Sequence, residues 1–434
     1  MKFVTNITNK QSHFAEISYS IMGSSYKVNQ SNFNVIFSSV LMTTCVISIV
    51  SYLLLSIESA SFFPSSNFFA LQIAYSQFGI ENLDELLDKA DSLYHQGNHS
   101  ASVIMYDKAL AIDLNNVDAL VGKSIALSFL GQYLEAMIPA DRALMMEPEN
   151  VDALSAKGLA LYSKGQTDEA LTHIDKALEL NPEHVQALFL KGITFSGQGQ
   201  YQEAITWYDK ALDIDPKDVD AINNKGAALH YLGKYEEAIT WYDKVLEIVP
   251  KDADASNNKG LALHYLGRYE EAIVWYDKAL DIDPKDVDAI NNKGVTLANL
   301  SRYEEAFTWF DKALEIDPKH VHASFSKGLA LYHLGKHQEA ITWLDKALEV
   351  DPKHVSGLIV KGLALANLGK HEEAFTWFDR ALEIDPTNID ALLNKGIALY
   401  NLGKQQEASI WVDKALSIDP TDEQILDIKA QLQK

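Results

Sequence analysis

The sequence predicts an all-α chain: a solenoid of about ten 34-residue helix-turn-helix units, preceded by one hydrophobic helix. Three observations predict it. Prolines fall at 148, 182, 216, 250, 284, 318, 352, 386 and 420, always 34 residues apart, which is the length of a repeat made of two short helices and their turns. Residues 207–226 and 275–294 carry the same twenty residues, WYDKALDIDPKDVDAINNKG, two periods apart. Within a period, apolar and small residues recur at helical spacing, as Ile222, Gly226 and Leu229 do at i, i+4 and i+7.

Before the repeats lies a different composition. Residues 1–34 read as an N-terminal tail, 35–57 as a transmembrane or signal-anchor helix, and 58–82 as a linker. No charge occurs between Lys27 and Glu58, and Val35 to Ile57 is long enough to cross a bilayer as a helix. Lys2, Lys10 and Lys27 precede this stretch and no Lys or Arg follows it until Lys89. That bias predicts a single-pass membrane protein with a cytoplasmic N-terminus and an exported array. The alternative is secretion after signal cleavage, for which Ala74-Tyr75-Ser76 is the better-fitting site.

The ten units run from 83 to 422, and the first carries Leu114 where the others have proline. In the unit from Val219 to Asp252, Gly233 ends the first helix in the left-handed conformation that glycine tolerates. The second helix turns Tyr235, Ala238, Ile239, Tyr242, Val245 and Leu246 inward and leaves Glu236, Glu237, Asp243, Lys244 and Glu247 in water. Pro250 stops that helix, and Asp252 caps the next one. Seven of the ten units end in Asn or Asp, so the cap is general. Gly226 and Ala238 let two helices approach closely while Tyr242 fills the gap beside them. Residues 423–434 read as a polar-backed capping helix.

These small-aromatic-small positions with a closing proline resemble the tetratricopeptide repeat family. The resemblance covers residues 83–422 and implies a right-handed superhelix with an inner groove lined by first helices. Three departures from the pattern stand out. Pro139 lies inside a second helix, at about 3 kcal/mol unless the helix bends. Ser301 replaces a turn glycine, at roughly 1 kcal/mol, and Ser102 replaces a packing alanine.

Binding is the function this fold implies, to a protein or peptide and without catalysis. Every unit has lysine at its seventh place, from Lys89 to Lys395, and an aspartate on its second helix, from Asp107 to Asp413. These read as a structural ladder, the lysine stems lying along the apolar stripe. All seven tryptophans share the twenty-third place, from Trp207 to Trp411, and read as packing between units. The candidate peptide-binding residues lie on first helices. Asn224, Asn258, Asn292 and Asn394 share the sixth place, with Asn223, Asn257 and Asn291 beside three of them. By resemblance, asparagines at the sixth place hold the backbone of an extended peptide, since an amide both donates and accepts. Solvated polar residues are the competing reading. His230 and His264, with Tyr231 and Tyr265, lie further along the same helices.

The second place is mostly aspartate, where lysine or arginine would grip an acidic tail, so the expected partner is neutral or basic. With a net charge of −23, the chain repels nucleic acid. No phosphate loop is present and Cys45 is the only cysteine, so the sequence calls for no cofactor or metal. His320 and His322 lack a third ligand and read as surface residues. Self-association as a structural solenoid is the alternative function, with an accessory role beside a membrane enzyme a further one. Asn98 and Asn299 open N-x-S sequons, relevant only to an exported chain in a glycosylating host.

Overall fold

The structure is a computed structural model that describes residues 82–432. Two compact units divide the chain between Glu85 and Leu86. The described helices make up the second of these, the first helix starting just before the boundary. Its 21 helices alternate between first helices of 13 residues and second helices of 14, closing with the shorter Glu423–Leu432. The described residues contain no strand. Each helix packs on its immediate neighbours in the chain, and first helices also meet the next first helix. A hairpin alone leaves its apolar stripe wet, so the core is built between neighbours. Phe378 shows this. It is fully buried in a cluster that draws Ile341, Leu358 and Ala391 from three successive repeats.

Local chemistry sets the ends of the helices. The turn glycines stand at positive φ, +74° at Gly233, and Ser301 is the only non-glycine among the described residues to do so, at +61°. Each first helix from Val117–Phe129 to Ile389–Asn401 is capped by a side chain that accepts a hydrogen bond from the third backbone N–H beyond it. Asn or Asp does this at six of these helices, and Asp422 does it for the closing helix. At the other three the Nδ1 atoms of His184, His320 and His354 take the same bond. His320 is therefore a structural cap and not the plain surface residue its sequence context suggested.

Close packing follows from the glycine at the eighth place. A Cβ on Gly226 would stand 2.7 Å from the Tyr242 ring, and one on Gly192 would stand 2.4 Å from Tyr208. In the second repeat both partners change together. Ser124 replaces the glycine and Ala140 the aromatic residue, both are buried, and the Ser124 hydroxyl donates to the Ala136 carbonyl at 2.8 Å. Pro139 sits buried within the continuous helix Tyr133–Met146. Its ring leaves the Glu135 carbonyl without a helical donor.

The membrane placement is corrected here. No helix among the described residues is long and apolar enough to cross a membrane, because 13 or 14 residues rise only about 20 Å against about 30 Å of hydrocarbon. The single-pass topology with an exported array, and the secreted alternative, thus have no spanning helix behind them in this structure. Residues 35–57, on which the expectation rested, lie outside the described residues, as do the tail before them and the segment 58–81.

Candidate peptide-binding groove

First helices lie side by side along the array, each meeting the next. Tyr94 lies on the helix Leu83–His95 and Asp220 on Val219–Tyr231, four units on. Burial, and then the Asp220 carboxylate, push the Tyr94 phenol up to about 12.

The candidate asparagines lie on first helices, and some are organised between units. Asn258 donates its amide to the Asn223 carbonyl at 3.5 Å, and Asn292 donates to Asn257 at 3.2 Å. Asn224 instead donates to the Asp220 backbone carbonyl of its own helix at 2.9 Å. One amide donor of each of Asn224, Asn258 and Asn292 is thus engaged by the chain. Asn291 should accept from the sixth place of the eighth unit, but that residue is Ser326, too short to reach. Asn291 is 6% exposed and its Oδ1 has no partner, a costly state for a buried acceptor. Asn394 is half-buried in the last unit, three units from Asn292.

His230 and His264 occupy the far end of the same helices. The His230 ring meets the rings of Tyr231, Tyr235 and Tyr265 edge-on at 5.1 to 5.9 Å. His264 lies 2.7 Å from the Thr296 hydroxyl and 3.3 Å from the Asn299 amide of the next unit. Burial lowers the pKa of both rings. Tyr231 and Tyr265 stack on Tyr201 and Tyr235 and remain more than half exposed.

The opposite end of the groove is acidic. Where histidine caps the next helix, its Nε2 reaches the second-place aspartate of the preceding unit: His184 to Asp152 at 3.0 Å, His320 to Asp288 at 3.3 Å. At the Asp252 and Asp286 caps the second-place residue is also an aspartate, Asp220 and Asp254, whereas at the Asp218 cap it is Gln186. The Asp220 and Asp254 carboxyls reach solvent from within a recess. Desolvation there raises both, reinforced by Asp218 and Asp252 at the first and by Asp252, Asp286 and Asp283 at the second.

The lysine and tryptophan places are structural. Each seventh-place lysine from Lys123 onward pairs with the aspartate of the preceding unit, as Lys157 does with Asp141 at 2.8 Å and Lys191 with Asp175 at 2.6 Å. From Lys191 on, the same lysines lie over the tryptophan of their own unit. Lys191 and Lys210 both sit within 4 Å of the Trp207 ring centre, so one tryptophan serves two cations. Lys429 in the capping helix extends the series to Asp413 at 2.9 Å. Sequence reasoning overlooked it, although it stands at the seventh place counted from Glu423.

Sequence comparison agrees with this architecture. Tetratricopeptide repeat profiles match residues 155–219, 218–285 and 389–422, and a TPR repeat profile matches 362–403. The chain is a tetratricopeptide repeat protein. A profile of anaphase-promoting complex, cyclosome, subunit 3 also matches this TPR array, over residues 265–347 and 299–380. Among solved structures, the APC/C hetero-tetramer Cut9–Hcn1 aligns at 14% identity and a TM-score of 0.51, covering 81% of this chain and 76% of that one; it shares the fold. A tetratricopeptide repeat protein from Parabacteroides merdae aligns at 20% identity over 58% of this chain and 99% of its own, with a TM-score of 0.47. YrrB, a TPR protein described as having an unusual peptide-binding site, aligns at 28% identity over 44% and 97%, with a TM-score of 0.35. None of the curated proteins compared with the chain matches it. As a TPR array, this chain is a protein-interaction scaffold.

Proposed function

We propose that this scaffold is non-catalytic and binds an extended peptide or a partner segment in the concave face of its first helices, across units five to seven. In this reading residues 83–422 form ten units of a right-handed superhelix, and 423–434 cap it. One observation carries the proposal: Asn223, Asn224, Asn257, Asn258, Asn291 and Asn292 repeat at the unit spacing on successive first helices, and two of them bond across neighbouring helices, Asn258 to Asn223 and Asn292 to Asn257. Amides repeated along a groove can pair with successive peptide groups whatever the guest's sequence. Asn394, His230 and His264 extend the same surface, and the acidic edge favours a neutral or basic guest.

The test probes a peptide library with the full chain and with the triple variant Asn224→Ala, Asn258→Ala, Asn292→Ala. Capture should be lost while helicity by circular dichroism is unchanged. Undiminished capture by the variant places the site elsewhere.

A second reading, self-association, is supported by the outer face of the second repeat. Units three to ten carry mostly Asp, Glu or Gln at the eighteenth and twenty-ninth places, whereas here these are Leu134 and Met145, with Ile138 between them. All three are well exposed, and contiguous apolar surface of this kind is characteristic of interfaces. Light scattering should then show mass rising with concentration in the wild type and not in Ile138→Glu. A strict monomer at high concentration removes this reading.

A further inference from the structure

We infer that the tyrosine edge of units four to six takes a proline-rich guest segment in the polyproline II conformation, with a proline at every third place, an assignment that rests on the first helices being the binding face. Tyr201 and Tyr231 stack with ring centres 4.9 Å apart and planes 10° apart, and Tyr235 and Tyr265 do the same at 5.3 Å and 13°. In each pair one ring opens a second helix and the other closes the first helix of the next unit. His230 lies between the pairs, edge-on to Tyr231 at 5.9 Å and to Tyr235 and Tyr265 at 5.1 Å. One unit on, His264 meets Tyr265 at 5.6 Å and Tyr269 at 5.2 Å in the same way. Tyr231 is 66% exposed and Tyr265 57%: a stacking partner covers one side of each ring, and the rest meets solvent. At this thirteenth place the two preceding units carry Ser163 and Gly197 and the following one carries Asn299, so the row ends with these two pairs. Both exposed rings stand on helices that also carry asparagine pairs, Asn223 with Asn224 and Asn257 with Asn258.

The spacing selects the occupant. Neighbouring packed helices stand about 8–10 Å apart, and one turn of polyproline II advances about 9 Å in three residues. A guest crossing the first helices in that form sets residues i and i+3 on one side, one over each exposed ring. An extended strand does not, because its residues i and i+3 point to opposite sides. A guest helix would use its own carbonyls internally, whereas polyproline II leaves them unbonded. One of the two amide N–H donors of Asn224 and of Asn258 is engaged by the chain, and the second can meet such a carbonyl, as can a tyrosine hydroxyl. Proline is the side chain for the ring places, since it is flat, apolar and already held near the required φ, so binding orders little.

Charge narrows the places between the prolines. Exposed glutamates follow the tyrosines on the second helices, Glu236 and Glu237 after Tyr235, Glu270 and Glu271 after Tyr269. The guest residues beside them are therefore neutral or basic.

The experiment titrates the full chain with two capped peptides of equal length, repeats of Pro-Gln-Arg and repeats of Pro-Gln-Arg-Gln, at high salt so that charge is screened. Proline at every third place should bind about tenfold more tightly than proline at every fourth. Tyr231→Ala with Tyr265→Ala should weaken the tighter peptide about tenfold while helicity by circular dichroism is unchanged. Tyr231→Phe with Tyr265→Phe keeps the rings and should stay within about twofold of the wild type. Tyr400→Ala, which removes an exposed tyrosine from the tenth first helix, should leave binding unchanged. Failure of the Pro-Gln-Arg peptide to bind, equal binding of the two peptides, or binding that survives the double alanine variant overturns the inference. Library capture of sequences without proline, lost in the asparagine triple variant, also overturns it and leaves the groove reading standing. Binding of the Pro-Gln-Arg peptide that is lost with the tyrosines and kept in the asparagine triple variant supports the inference and takes the asparagines out of the site.

Discussion

At the scale of single residues, the array repeats one solution and reveals its constraints where it departs from it. Ser301 holds a φ of +61° where nine turns use glycine, and an L-residue there pays for a Cβ crowding the backbone. Ser301→Gly should raise stability by about 1 kcal/mol, read as a higher urea midpoint with an unchanged slope; an unchanged or lower midpoint would show the turn unstrained. Asn and Asp caps were legible in the sequence because they act within three residues. The histidine caps were not, since histidine has no strong cap preference, and only the position of Nδ1 over the next helix reveals them. The eighth and twenty-fourth places are a further case. Gly226 with Tyr242, a pair the sequence already linked, and Ser124 with Ala140 are alternative fillings of one space; that the second pair replaces the first is visible only once the two helices are side by side.

Between helices, one lysine joins three elements. Lys225 is 11% exposed at its side chain, lies over Trp241 of its own unit and pairs with Asp209 of the unit before, whose side chain is about half exposed. The two members of the pair therefore differ in what their loss leaves behind. Asp209→Ala strands an ammonium group among buried neighbours and should cost about 1–3 kcal/mol. Lys225→Met leaves a carboxylate that water can solvate and a stem that still packs, and should cost less than about 1 kcal/mol. Chemical unfolding of both variants tests the asymmetry, which equal losses would refute. The seventh-place lysines and the aspartates could be matched from spacing alone. That each aspartate belongs to the preceding unit, and that the tryptophan takes a cation from either helix, depends on how one hairpin leans on the next. The asparagine pairing is of the same kind: residues 35 apart in the chain meet because neighbouring first helices lie side by side.

Over the whole molecule, proton binding couples the units to pH. Burial is the leading cause that lowers the pKa of His173, His230, His264 and His354 from 6.5. The folded array favours the neutral rings, so the unfolded chain takes up protons first as pH falls. The stability these rings contribute is complete above pH 6.5 and is lost as pH drops below it toward their depressed values. Asp220 and Asp254, raised from 3.8, act in the opposite sense at lower pH. The urea midpoint should therefore fall between about pH 7.5 and about pH 5.5, and His230→Gln with His264→Gln should flatten that slope. A slope unchanged in the double variant would mean that these rings titrate alike in the folded and unfolded chains.

The sequence by itself determined the unit length, the helical class, the caps by Asn and Asp, the turn glycines and the faces each helix buries. All of these arise from interactions within a few residues, repeated often enough to be read as a period. Only the tertiary structure decided which unit each lysine binds, that histidines cap helices, and that the amides of Asn258 and Asn292 donate to a neighbouring unit. Those between-unit contacts join residues 16 to 35 apart, and their partners are set by the angle at which rigid hairpins stack, a quantity no local pattern contains.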